Sequence, residues 1–159
     1  INGINIIVVE SGRKCMFFGS YQHTLDAKGR MMIPSKLREQ VGKKVFIMRG
    51  YDRCISIYKE EDFIKRMEEA TKLAFNKSDP RKVVRVESQS VVELEIDEAG
   101  RILLPKRTLD QYKIGRKVMI VGVIDHFEVW DLDSWEQYLK EADDSYEDMS
   151  DNLEEGNDK

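Results

Sequence analysis

The chain has 159 residues, of which 41% are hydrophobic and 35% charged, with a formal net charge of −4. This length fits one ordinary domain or two very small ones, with enough apolar side chain for a packed core. The early apolar run from Ile4 to Val9, broken by Asn5, is far too short to cross a bilayer and is followed by no small-residue cleavage site, so neither a membrane nor an export role is expected.

Cys15 and Cys54 lack the spacing of a disulfide framework and are expected to be free thiols in a reducing cytosol. The charge is unevenly distributed. Residues 16–58 hold eight Lys/Arg against three Asp/Glu, whereas residues 131–159 hold two against twelve. Because steering depends on the local field, the basic first half matters more for a partner than the net charge of the whole chain.

In chain order, residues 1–15 read as an upstream extension or expression scar outside the fold. From Met16 onward a pattern appears and then repeats. Asp26, Gly29, Arg30 and Pro34 recur as Asp97, Gly100, Arg101 and Pro105, and Leu37 recurs as Leu109. The copies stay in step further on, where Ile55-Ser56-Ile57-Tyr58 answers to Phe127-Glu128-Val129-Trp130 and Phe63 to Trp135. A Gly and a Pro at both required offsets has a chance of about 1 in 300 at average usage, so duplication is the economical explanation.

Each copy reads as strand, turn, strand, short helix, two strands and a longer helix. Phe18 to Leu25 and Val91 to Ile96 are rich in β-forming residues and end at the motif aspartate, and the apolar pattern resumes at Met31 to Ile33 and Ile102 to Leu104. Asp-x-x-Gly is therefore expected to be a hairpin turn. Pro34 and Pro105 suit the start of a short helix carrying Lys36-Leu37-Arg38 or Arg107-Thr108-Leu109, with Gly42 and Gly115 at its expected stop. The resulting division is a first repeat over 16–75, a connecting helical segment over 76–90, a second repeat over 91–141 and an acidic tail over 142–159, expected to be disordered.

No catalytic residue, metal site or cofactor is indicated. The chain has no Gly-rich phosphate loop, no His-Glu-x-x-His and no Cys-x-x-Cys, and His23 and His126 have no partners at ligand spacing. No small-molecule substrate is evident either.

Arg30 and Arg101 stand out because each directly follows a turn glycine and lies four residues after an aspartate. Asp26 and Asp97 are placed either to close the turn through backbone N–H groups or to brace the arginine, a geometry suited to phosphate or guanine. A two-stranded ribbon fits the major groove, where arginine can bond to guanine O6 and N7. Lys28 adds a cation to the first turn, whereas the second has Ala99 with Glu98 beside it, so the first is expected to bind DNA more strongly. The alternative is an aspartate–arginine pair that only holds the turn together, and the basic first half favours DNA.

Leu25-Asp26-Ala27-Lys28-Gly29-Arg30 with Ile33-Pro34, Ile96-Asp97-Glu98-Ala99-Gly100-Arg101 with Leu104-Pro105, and the closing Phe127-Glu128-Val129-Trp130-Asp131 together resemble the MraZ family of bacterial transcriptional regulators. The resemblance covers Met16 to about Leu139. It implies an α+β, mainly β fold: an internally duplicated swapped-hairpin β-barrel of AbrB type with flanking helices.

It further implies a homo-oligomeric ring at the nucleoid that binds double-stranded DNA at direct repeats in its own promoter, usually as a repressor of a division and cell-wall gene cluster. The family's DNA-contacting arginines carry over to Arg30 and Arg101. An AbrB-like antitoxin and an adaptor barrel that does not touch DNA are the competing expectations.

Overall fold

The computed structural model describes residues 16–155. The expectations about residues 1–15, Cys15 and residues 156–159 lie outside the described residues. The strands are β1 (Ser20–Thr24), β2 (Arg30–Met32), β3 (Lys44–Arg49), β4 (Ile55–Lys59), β5 (Val92–Glu95), β6 (Arg101–Leu103), β7 (Lys117–Gly122) and β8 (Phe127–Asp131). The helices are α1 (Ser35–Arg38), α2 (Glu60–Thr71), α3 (Ser78–Ser90), α4 (Lys106–Gln111), α5 (Leu132–Asp144) and α6 (Tyr146–Glu155). Among the described residues, no helix is long and apolar enough to cross a membrane.

Six strands form an antiparallel sheet in the order β1-β7-β8-β4-β3-β5, and β2 pairs with β6 in a separate ribbon. The pairing exchanges strands between the repeats. β1 of the first copy lies beside β7 of the second, with Tyr21 opposite Ile120, and β5 of the second lies beside β3 of the first, with Val45 opposite Leu94. A further pairing of β4 with β8 places Ile55 opposite Val129. The two copies therefore share one body, the swapped arrangement that the resemblance implied.

Alternation along each strand sends every second side chain to the core. Ile47, Ile55, Ile57, Ile120, Phe127 and Val129 are fully buried there, joined from the ribbon by Met31, Ile33, Ile102 and Leu104. Each such side chain contributes roughly 1.5–3 kcal/mol of burial relative to exposure. On the opposite face of the sheet, Phe63 of α2 stacks on Phe46 with ring centroids 4.3 Å apart, and its counterpart Trp135 of α5 meets Trp130 at 5.2 Å. Arg66 ties α2 to α3 through Glu87 at 2.7 Å. Cys54 is a buried free thiol.

Three sequence expectations need correction. Asp-x-x-Gly does not join two strands of one hairpin, because the strands on either side of it pair elsewhere, β1 with β7 and β2 with β6. The short helices end before Gly42 and Gly115: α1 closes at Arg38, and after α4 the chain turns at Lys113 with φ 55°.

The tail expected to be disordered is helical as far as Glu155. Leu132, Trp135, Leu139 and Ala142 in α5, and Tyr146, Met149 and Leu153 in α6, follow a three-four spacing that places each set on one face of its helix, while Glu147 and Asp148 in the first turn of α6 suit the helix dipole. The overall acidity of this segment concealed that apolar stripe.

Candidate nucleic-acid interface

Two turns and one ribbon build the site. In the first turn, the Asp26 carboxylate accepts the backbone N–H groups of Lys28 and Arg30, each at 2.9 Å, and its second oxygen pairs with Arg30 Nε. The second turn repeats this arrangement: Asp97 accepts from Ala99 at 3.0 Å and Arg101 at 2.9 Å, and pairs with Arg101 Nε at 2.9 Å. Each aspartate thus performs both roles left open by the sequence, closing its turn and bracing its arginine. Gly29 and Gly100 make the turns possible with φ of +84° and +83°, a left-handed conformation that side chains disfavour.

Across the ribbon, Arg30 faces Leu103, Met31 faces Ile102 and Met32 faces Arg101. Residues directly opposite share a face, so Arg30, Met32, Arg101 and Leu103 lie together on one side and Met31 with Ile102 on the other. The inner pair is fully buried, whereas Met32 and Leu103 are exposed. The ribbon continues symmetrically at its ends, where Ile33 N–H donates to the Gly100 carbonyl at 3.0 Å and Leu104 N–H to that of Gly29 at 3.1 Å.

In sequence the two arginines belong to two separate turns, but the strand exchange brings both onto opposite corners of one small surface. Two residues along a strand and one strand across separate them by about 8 Å at the backbone. The pairing with aspartate uses Nε, and among the described residues the terminal guanidinium nitrogens of Arg30 and Arg101 have no hydrogen-bond partner. They remain available to an external acceptor.

Lys28 lies in the first turn beside a concavity of about 430 Å³ that is also lined by Lys106 and Arg116. Sequence reasoning did not foresee the place of Arg38. From α1 of the first repeat it donates to the carbonyl of Ala99 in the second turn at 3.2 Å. Its basic neighbourhood was legible, but a contact across 61 positions was not.

His23 lines a concavity together with Met32 and Arg38. His126 stacks on Tyr58 at 4.8 Å; burial disfavours its charge, but hydrogen bonds to Glu128 and Asp125 outweigh this and raise its pKa. Partial burial lowers that of His23.

The Asp26 carboxyl titrates well below the usual range, at about 2, chiefly because the backbone N–H of Arg30 donates to its charged form, with the Arg30 side chain and the Lys28 N–H adding to the effect. Asp97 is lowered for the same leading reason. A depressed carboxylate pKa contributes stability above its unfolded value near 4, and that contribution is lost as pH falls towards 2. Carboxyl-carbon NMR should therefore give Asp26 a midpoint near 2. In Arg30→Ala the midpoint should rise only part of the way to the ordinary value, since the backbone donor survives the substitution. A full return to the ordinary value would contradict this assignment.

Comparison with known proteins gives a consistent family relationship. The family model for MraZ protein, described as antitoxin-like, matches residues 16–86 and again 90–155. Among curated relatives, a protein of Lactiplantibacillus plantarum is 40% identical over 139 residues, covering 87% of this chain and 98% of its own length. One of Ligilactobacillus salivarius is 38% identical over 138 residues, covering 87% and 96%. One of Moorella thermoacetica is 36% identical over the same length, with the same coverage. All three are named transcriptional regulator MraZ, a name for a regulator and not an enzyme. With two family matches along the chain and relatives aligned over nearly their full length, this protein belongs to the MraZ family.

Proposed function

We propose that this protein is a sequence-specific DNA-binding transcriptional regulator that acts in the cytoplasm at the nucleoid. In this reading it represses its own division and cell-wall gene cluster by binding short direct repeats in the promoter. The single observation that carries the reading is the exposed face of the β2–β6 ribbon, with two aspartate-braced arginines at opposite corners.

A ribbon enters the major groove, where arginine bonds bidentately to guanine. An interval of about 8 Å spans two to three base-pair steps at 3.4 Å each, so one ribbon serves a short repeat. Lys28 supplies attraction to phosphate that does not depend on sequence. One such head buries little DNA, and a ring of copies engaging successive repeats raises apparent affinity without new kinds of contact.

A gel shift with the DNA upstream of the protein's own gene tests this directly. A specific, salt-sensitive shift that a shuffled duplex fails to compete away is expected; indifference to the sequence would contradict the proposal. The antitoxin-like description of the family model, together with the exposed Tyr146, Met149 and Leu153 of α6, favours a second reading in which that helix also holds a protein partner. On it, truncation after Ala142 leaves operator affinity intact; lost affinity would count against it.

A further inference from the structure

Resting on that functional reading, we propose that Arg38 is a DNA-phosphate contact belonging to the second turn, supplied across the repeat exchange by the first repeat. The second turn's own sequence is net acidic, with Asp97 and Glu98 against Arg101, and it carries Ala99 where the first turn carries Lys28. A turn of that composition is a poor neighbour for a phosphate backbone. Arg38 alters the composition of the site without altering that of the turn.

The geometry follows from the strand exchange. Counted from the equivalent prolines Pro34 and Pro105, Arg38 occupies the position that Leu109 holds in the second repeat. Each short helix sits against the other repeat's turn: the side chain of Leu109 lies beside Gly29, and that of Arg38 lies beside Gly100. The Arg38 guanidinium packs so closely on Gly100 that a Cβ added there would collide with it. Its Nη1 donates to the Ala99 carbonyl at 3.2 Å and contacts the Met32 sulfur at 3.6 Å, placing the charge next to the exposed ribbon face.

Guanidinium has five N–H donors. Among the described residues, Nε and Nη2 of Arg38 take no partner, so two nitrogens remain for phosphate. Lys36 lines a concavity of about 410 Å³ together with Met32 and Arg38. The unequal strength expected of the two turns from Lys28 and Ala99 is thereby reduced, since the missing cation of the second turn comes from α1.

A bracing role for Arg38 and a phosphate role can be separated because they need different chemistry. Arg38→Gln keeps an N–H donor for the Ala99 carbonyl but removes the charge. Ala99→Lys places a cation at the position equivalent to Lys28.

With full-length protein and fluorescent duplexes carrying either the upstream region or a shuffled sequence, Arg38→Gln is expected to weaken binding to both by a similar factor, about 3–10-fold. It should also reduce the slope of log affinity against log salt by about one for each engaged subunit. Arg38→Gln/Ala99→Lys should recover most of both losses, with the melting temperature following neither change.

Unchanged affinity and slope in Arg38→Gln would overturn the inference. So would a loss that tracks melting temperature and is not recovered by Ala99→Lys. A wild-type protein that binds neither duplex would instead contradict the functional reading on which the inference rests.

Discussion

Arg30→Ala/Arg101→Ala is expected to lose operator recognition while remaining folded. Each bidentate arginine–guanine contact is worth about 1–3 kcal/mol of discrimination, so the double variant should lose roughly two to four orders of magnitude in affinity for its operator, less where the two contacts are coupled. Binding to shuffled DNA should fall much less, because other cations near the ribbon, Lys28 and Lys106 among them, remain. Stability should change little. The two ion pairs are about one-third exposed on both sides, and Asp26 and Asp97 keep their backbone N–H bonds when the arginine side chains are removed. Isothermal titration and thermal melting on the same preparations check both parts. A variant that binds its operator normally but melts much earlier would show that the pairs only hold the turns.

Ile102→Ala is expected to have the largest effect on stability near the site. Its side chain is fully buried opposite Met31, and both belong to the main core. Truncating such a residue costs about 2–5 kcal/mol, since surrounding atoms only partly refill the space. For a chain of this length, that lowers the melting temperature by on the order of 10 °C. Leu103→Ala, one residue along, should lie within about 0.5 kcal/mol of wild type, because Leu103 is 54% exposed. Denaturant melts of the pair test the assignment of the ribbon's two faces; equal losses would contradict it.

What was legible in the sequence follows from what is local. Asp26, Gly29 and Arg30 interact within a single turn, so their spacing alone disclosed both the turn and the brace. The same holds for Asp97, Gly100 and Arg101. The repeat also disclosed the order of strands and helices, because two copies of an ambiguous pattern limit each other.

Strand pairing was not legible, because nothing in the alternation of β1 distinguishes β2 from β7 as its partner. Local spacing therefore places the arginines in two separate turns, whereas the pairing puts them on one ribbon face. Arg38 was visible as a helix residue, but its contact with Ala99 exists only because of that exchange. In the tail, the acidic composition is that of an unstructured segment and masks the three-four apolar spacing of a helix.

Methylation interference on the upstream duplex tests the central claim most directly. Methyl groups placed sparsely at guanine N7 block the acceptor that a ribbon arginine would use in the major groove. In the bound fraction, duplexes methylated at guanines within the direct repeats should be depleted, with spacing that recurs from repeat to repeat, and the double arginine variant should lose that pattern. Equal representation of methylated guanines inside and outside the repeats in protein-bound DNA would contradict recognition through Arg30 and Arg101.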